Sequence, residues 1–175
     1  MPLDIFLKLD GIEGESTARG HEKEIVVLSY EQGIDTPIIQ QGGGGGGAGR
    51  PTFSGVRLRK AVDAASIPLL LACASGTHIK DARFTFQRPG QTPFDFYKVS
   101  LEDVLVTRVS QRAGTGPQYP LSFEELDAGA DSVGFLDDVT LEYGRIRWEY
   151  QTVGPDGRPG APVTGGWDRR ANTKI

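Results

Sequence analysis

Apolar and polar side chains alternate with a period of two along most of this chain, which predicts a β-rich fold. Ile5, Leu7 and Leu9 alternate with Phe6, Lys8 and Asp10 in a first strand that ends at the turn-forming pair Asp10-Gly11. A second strand covers 24–30, with Val26, Leu28 and Tyr30 on one face and Ile25 and Val27 on the other. Both faces are apolar, so it is expected to be covered on both sides. In a third strand Val56 and Leu58 alternate with Arg57 and Arg59. The stretch 83–88 alternates cleanly before the turn Pro89-Gly90, and 94–109 reads as one long strand or two in series.

The last strong strand carries the most information. Val139, Leu141 and Tyr143 occupy odd positions, whereas Ile146, Trp148 and Tyr150 occupy even ones, so the phase slips by one at Gly144. A slip at a glycine is what a β-bulge or sharp bend produces, and barrels close on such bends. A curved sheet is expected.

One helix interrupts the strands. Over 63–74, Asp63 or Ser66 supplies a cap, Pro68 suits the first turn, 69–74 forms the body, and Gly76 ends it. Apolar on nearly every face, it is expected to be buried on nearly every face, against one end or edge of a barrel. The run 42–47, followed by Ala48-Gly49, has no side chains with which to pack and is expected to be a loop. A long insert rich in Gly, Pro and acidic residues spans 111–134, within which 121–126 has the pattern of one helical turn. The tail over 153–166 is a further Gly/Pro loop.

Composition narrows the function classes. The 175 residues are one domain's worth, 1–175, and 24 glycines with 11 prolines fit many turns and a few long loops. A net charge of -4 with signs mixed along the chain argues against nucleic acid as a partner. One cysteine, Cys73, excludes an internal disulfide and fits a reducing compartment. Charges at Asp4 and Lys8 interrupt the N-terminal apolar residues, so no signal-peptide core is read there. The longest apolar run, 67–74, is too short to cross a bilayer. The expectation is cytoplasmic synthesis, no membrane insertion, and, if the protein leaves the cell, a route that reads no cleavable signal.

No catalytic constellation emerges. A P-loop needs a lysine and a helix after its glycines, but Gly49 leads to Arg50-Pro51 and a strand. His21 and His78 are distant in sequence, and Cys73 reads as a buried structural thiol, so neither a metal site nor a Cys–His nucleophile is assigned. The adjacent carboxylates Glu102-Asp103, Glu124-Glu125 and Asp137-Asp138 point to opposite faces wherever they lie on strands. They read as solvated loop or strand edge. No catalytic residue, cofactor or metal is expected.

The segments 4–16 (DIFLKLDGIEGES), 21–28 (HEKEIVVL), the polyglycine loop ending in Ala48-Gly49-Arg50, 71–78 (LACASGTH), 101–106 (LEDVLV) and Gly166-Trp167-Asp168 form a distinctive series. Together they resemble the Hcp family, the haemolysin-coregulated tube proteins of type VI secretion. The resemblance covers most of the chain, and the joint order of these segments is specific.

The resemblance implies a mainly β fold, a squat antiparallel β-barrel with one short flanking α-helix and long Gly/Pro-rich loops. It implies homo-hexameric rings that stack into a tube, with a VgrG-like spike, a contractile sheath and effector proteins as partners, and export to the extracellular space or a target cell. The loop 38–50 resembles the family's extended loop that reaches a neighbouring ring, making Ile38, Ile39, Gln40, Gln41, Gly42, Gly47 and Arg50 candidate stacking residues. Ser29 and Glu31 are candidates to face the lumen, where the family usually carries an aromatic-rich Trp/Ser stretch. The insert 111–134 is longer than usual and bears on stacking. The alternative reading is a small-molecule or peptide-binding barrel without tube formation, although Phe84, Phe86, Phe94 and Phe96 suffice to fill a barrel core.

Overall fold

Thirteen strands and one helix account for most of the chain in a computed structural model that describes residues 3–41, 45–90, 93–113, 135–153 and 159–175. The elements are β1 (Asp4–Leu9), β2 (Ile25–Val27), β3 (Ser29–Glu31), β4 (Ile34–Asp35), β5 (Ile38–Gln41), β6 (Gly45–Ala48), β7 (Thr52–Phe53) and β8 (Val56–Ala61). Helix α1 (Ser66–Ser75) follows, then β9 (His78–Arg88), β10 (Phe94–Ala113), β11 (Phe135–Val153), β12 (Pro159–Asp168) and β13 (Thr173–Lys174).

The main sheet is antiparallel and runs β13-β12-β11-β10-β9-β1-β2, with β8 pairing β11 and β3 pairing β8. β11 changes partner along its length. Its first part, Leu136–Leu141, pairs β8, whereas Arg145 onwards pairs β12. The sheet therefore curls, enclosing Leu7, Ile25, Val56, Leu58, Phe84, Val99, Leu101, Val104, Leu141 and Ile146 in one core. The expected barrel is realised as this curled sheet and not as a closed ladder. β2 bonds to β1 and β3 to β8, and the two sides meet through the bent segment between them, where the Leu28 amide donates to the Arg59 carbonyl at 2.7 Å.

The phase slip is real, and it is shared. On β9 the buried residues go from Ile79 to Ala82, on β10 from Leu101 to Val104, and on β11 from Tyr143 to Ile146. Ile79, Val104 and Tyr143 are register partners, as are Ala82, Leu101 and Ile146, so three strands exchange their inward face at one row. Pairing between β10 and β11 continues through this row without a register shift; the shift lies between Val106 and Arg108. A bend common to all three strands thus takes the place of a bulge confined to β11.

Helix α1 differs from expectation on two counts. Its N-cap is Ala65, with no side-chain cap bond. Asp63 instead accepts from the Ala65 amide at 2.8 Å, and the Ser66 hydroxyl accepts from the Asp63 amide at 3.0 Å. Gly76 ends the helix in the left-handed region, as its lack of a Cβ favours. Only Ser66, Leu69 and Ala72 are buried, and Ile67 and Leu71 are each 64% exposed, because the helix contacts the sheet on one side. Cys73 is half-buried against the core. Among the described residues no helix is long and apolar enough to cross a membrane.

Candidate assembly surfaces

The glycine run, expected to be a loop, supplies a strand where it is described. Gly45–Ala48 pairs antiparallel with Ile38–Gln41, giving the register Ile38↔Ala48 through Gln41↔Gly45. Backbone hydrogen bonds need no side chain, so glycines can form the outer strand of a hairpin despite the entropic cost of ordering them. Behind this tip, β4 and β7 pair through Ile34↔Phe53 and Asp35↔Thr52, and the Gly49 amide donates to the Pro37 carbonyl at 2.8 Å. The result is a two-part arm off the main sheet. At its outer pair Ile38 is 79% exposed, and Arg50 lies exposed near its base. Gly42 lies outside the described residues; Ile39, Gln40, Gln41 and Gly47 are placed by backbone pairing in the hairpin.

The base of the arm is tied to the body by groups that sequence reasoning missed. Arg169 donates to Glu142 Oε2 at 2.8 Å, to the Tyr143 carbonyl at 2.9 Å and to the Phe53 carbonyl at 3.1 Å. Its guanidinium also lies 4.6 Å from the Tyr143 ring centroid. Tyr143 donates its hydroxyl to the Ser54 carbonyl at 3.2 Å. Burial pushes this phenol up to about 12, so it holds its proton as a donor. Arg50 reaches across to the Arg169 carbonyl at 3.0 Å, and Ser54 and Gly33 exchange hydrogen bonds. Five donors in a fixed fork suit arginine to gathering several acceptors at such a junction. Nothing in the local pattern around Arg169 marks it, because its partners come from two distant segments, 50–53 and 142–143.

The body exposes further apolar surface. On the second strand Ile25 and Val27 are buried, but Val26 and Leu28 are 45% and 49% exposed, so only one of the two apolar faces is covered within the monomer. Ser29 is half-buried and Glu31 exposed, with Glu31 3.7 Å from Arg57. Ile67 and Leu71, one helical turn apart, add a second apolar face on α1. The candidate stacking and lumen residues thus lie on two separate regions, the arm and the adjoining β3.

A buried charge network holds α1 to the sheet. Lys60 and Asp137 are both fully buried register partners, with Lys60 Nζ 3.1 Å from Asp137 Oδ2 and 2.6 Å from Asp63 Oδ1. The Ser66 hydroxyl lies 2.5 Å from Asp137 Oδ2, and Gln111 donates to Asp137 Oδ1 at 2.9 Å. Next along the strand, Asp138 faces the other way and pairs with Arg59 at 2.7 Å and with Arg112 at 3.2 Å. The expectation of solvated carboxylates at Asp137-Asp138 is corrected. A complementary Arg59-Lys60 pair stands opposite on β8, visible in the sequence but uninterpretable without the register.

The two histidines remain apart in role. His21 is buried, stacked on Phe6 at a centroid distance of 4.3 Å, with its ring nitrogens 2.8 Å from Glu24 and 3.3 Å from Asp95. His78 is exposed and 3.0 Å from Asp103. No cluster of three or more metal-ligating side chains occurs among the described residues.

The family profile described as "Type VI secretion system effector, Hcp" matches residues 6–150. The chain is 31% identical to protein Hcp1 of Pseudomonas aeruginosa, over 99% of each chain. Its fold is similar to the crystal structure of Hcp1 from Salmonella typhimurium, with TM-score 0.74, 28% identity and full coverage of both chains. It is also similar to a solved type six secretion system protein, with TM-score 0.86, 24% identity, and coverage of 99% of this chain and 100% of the other.

Proposed function

The chain belongs to the Hcp family of type VI secretion proteins, and from that premise we propose that it is a structural subunit of the type VI inner tube and not an enzyme. Six copies form a homo-hexameric ring, and rings stack into a tube that carries effectors in its lumen. The tube lies inside a contractile sheath and behind a VgrG-like spike. The protein is made in the bacterial cytoplasm and exported by the apparatus to the extracellular space or a target cell. Residues 1–175 act as one domain, without cofactor, metal or nucleic acid.

The observation that carries this reading is the anchored arm. A hairpin whose base is fastened by Arg169, Tyr143 and Ser54 leaves Ile38 79% exposed within one subunit. A two-stranded hairpin is marginal alone, and an uncovered neighbour supplies what it lacks. In the assembly the arm's residues Ile38–Gln41, Gly42, Gly47 and Arg50 contact the adjoining ring, and Ser29 and Glu31 face the lumen. The alternative of a ligand-binding barrel is disfavoured because Phe84 and Phe86 are buried with Val99 and Leu101 in the interior, whereas Phe94 and Phe96, expected there too, are only half-buried.

Electron microscopy of the purified chain tests the reading: six-fold rings are expected, and shortening the arm by removing 38–48 should leave rings but abolish their stacks. Stacks that survive this deletion would remove the arm from its assigned role. Effector retention should change on Glu31→Lys with ring formation intact; unchanged retention would remove Glu31 from the lumen.

A further inference from the structure

The face of the sheet turned away from the core is not electrically neutral. Lys8, Arg83, Ser100 and Arg147 fall on one register row across β1, β9, β10 and β11, with Lys98 and Glu149 paired on a nearby row. A groove of about 510 Å³ opens here, with Arg83, Lys98, Arg147 and Lys174 in its lining, Trp148 in its wall, and Glu149 as the one acidic side chain among its lining residues. Arg83, Arg147 and Lys174 are exposed. Four basic side chains against one acidic side chain, on a chain whose net charge is -4, is a segregation that dispersed sequence charges conceal.

The complementary charge is in the same chain. From Ala113 to Gly144 there is no Lys or Arg, and the insert contributes Glu124, Glu125, Asp127 and Asp131 among the apolar residues Leu121, Phe123 and Leu126. We infer that the cationic groove of one copy takes the acidic segment 121–131 of a second copy. The insert is anchored at Ala113 and Phe135, whereas the groove lies beyond the shared bend, with Ser100 thirteen residues back along β10. That is roughly 43 Å of strand at about 3.3 Å per residue. A segment of the same chain would have to double back along the strand near full extension. In a stack, a copy in the adjoining ring supplies the segment instead. This geometry rests on the stacked-ring reading, and it assigns the long insert to ring-to-ring affinity and polarity. Opposed surface potentials fix orientation and speed encounter, so the contact is salt-sensitive.

The test uses the full chain in sedimentation experiments at low and high salt. Reversal of the groove (Arg83→Glu, Lys98→Glu, Arg147→Glu) and of the segment (Glu124→Lys, Glu125→Lys, Asp127→Lys, Asp131→Lys) should each raise the concentration needed for association beyond the ring about tenfold. That is the combined effect of several exposed ion pairs at a few-fold each. Mixing the two variants should restore association. No change in either variant, or no restoration, would overturn the proposal. Should the groove variant fail to fold, a synthetic peptide of residues 118–132 titrated into the unaltered protein decides. Salt-sensitive binding, lost when its four carboxylates are reversed, is expected; no binding, or equal binding of polyglutamate, would overturn the commitment to this segment. Rings that persist in both variants leave the ring reading intact whatever the groove does. A ring absent from the unaltered protein removes that reading, while charge-swap restoration would still register in pairwise association.

Discussion

Gly144 stands against Asp103 across the β10–β11 ladder, and a Cβ on Gly144 would lie 3.0 Å from Asp103 Oδ2 and 3.3 Å from Asp103 Cβ. Asp103 itself has φ 57, in the left-handed region, at the row where three strands exchange their inward face. The pair marks the fold line of the sheet. On one side β11 pairs with β8, on the other with β12. Gly144→Ala is therefore expected to cost about 1–3 kcal/mol through crowding. Adding Asp103→Gly, which removes the opposing Cβ and suits a positive φ, should recover part of that loss. Unfolding midpoints in urea measure both; an alanine that costs nothing would mean the strands do not meet here as described.

The buried pair under α1 gives a larger effect. Removing one partner of a buried ion pair leaves an uncompensated charge, so Lys60→Met or Asp137→Leu alone should cost about 3–5 kcal/mol. The double substitution should be milder than the two losses summed. Ser66→Ala removes the hydroxyl that donates to Asp137 and accepts from Lys60 and the Asp63 amide, and should cost about 1–3 kcal/mol. A double-mutant cycle on denaturant unfolding reads the coupling, and additive losses would argue against direct contact.

Tyr143 predicts an alkaline weakness. Burial raises its pKa from the ordinary 10.0 to about 12, so between those values the unfolded chain has released a proton that the folded chain keeps. Its contribution is complete below pH 10 and is lost as pH rises toward 12. Tyr143→Phe should make the decline of stability across that window less steep by up to one proton. An identical slope in the variant would show that the phenol is not protected.

The exposed apolar residues separate folding from assembly. Ile38→Asp lies on the arm, away from the core, and should change monomer stability by no more than about 0.5 kcal/mol. It should nevertheless reduce association beyond the ring, read by light scattering over a concentration series. Loss of monomer stability with association unchanged would reverse this assignment.

Much of the fold was legible because strand periodicity speaks plainly where one face is buried. β1, β8 and the slip at Gly144 were read from alternation alone. The cause of the slip was not, because a bend shared by β9, β10 and β11 is a property of their register, which no single strand records. The helix misled for a related reason: Ile67 and Leu71 are as apolar as Leu69, and only the packing direction distinguishes them. Polyglycine carried no side-chain signal, so its pairing with 38–41 was invisible. At the arm, the resemblance singled out 38–50 as a candidate, but the fastening by Arg169 and Tyr143 required three segments to converge. Asp137-Asp138 read as solvated because charge is usually exposed, and their answer, Arg59-Lys60, lies more than seventy residues away.

The proposed role stands or falls with the closing of six copies of this chain into a ring. The most direct test is the native mass of the full chain, by light scattering on a sizing column across a wide concentration range. A mass of six subunits, or a multiple, that persists on dilution is expected. A clean monomer at high protein concentration would contradict it.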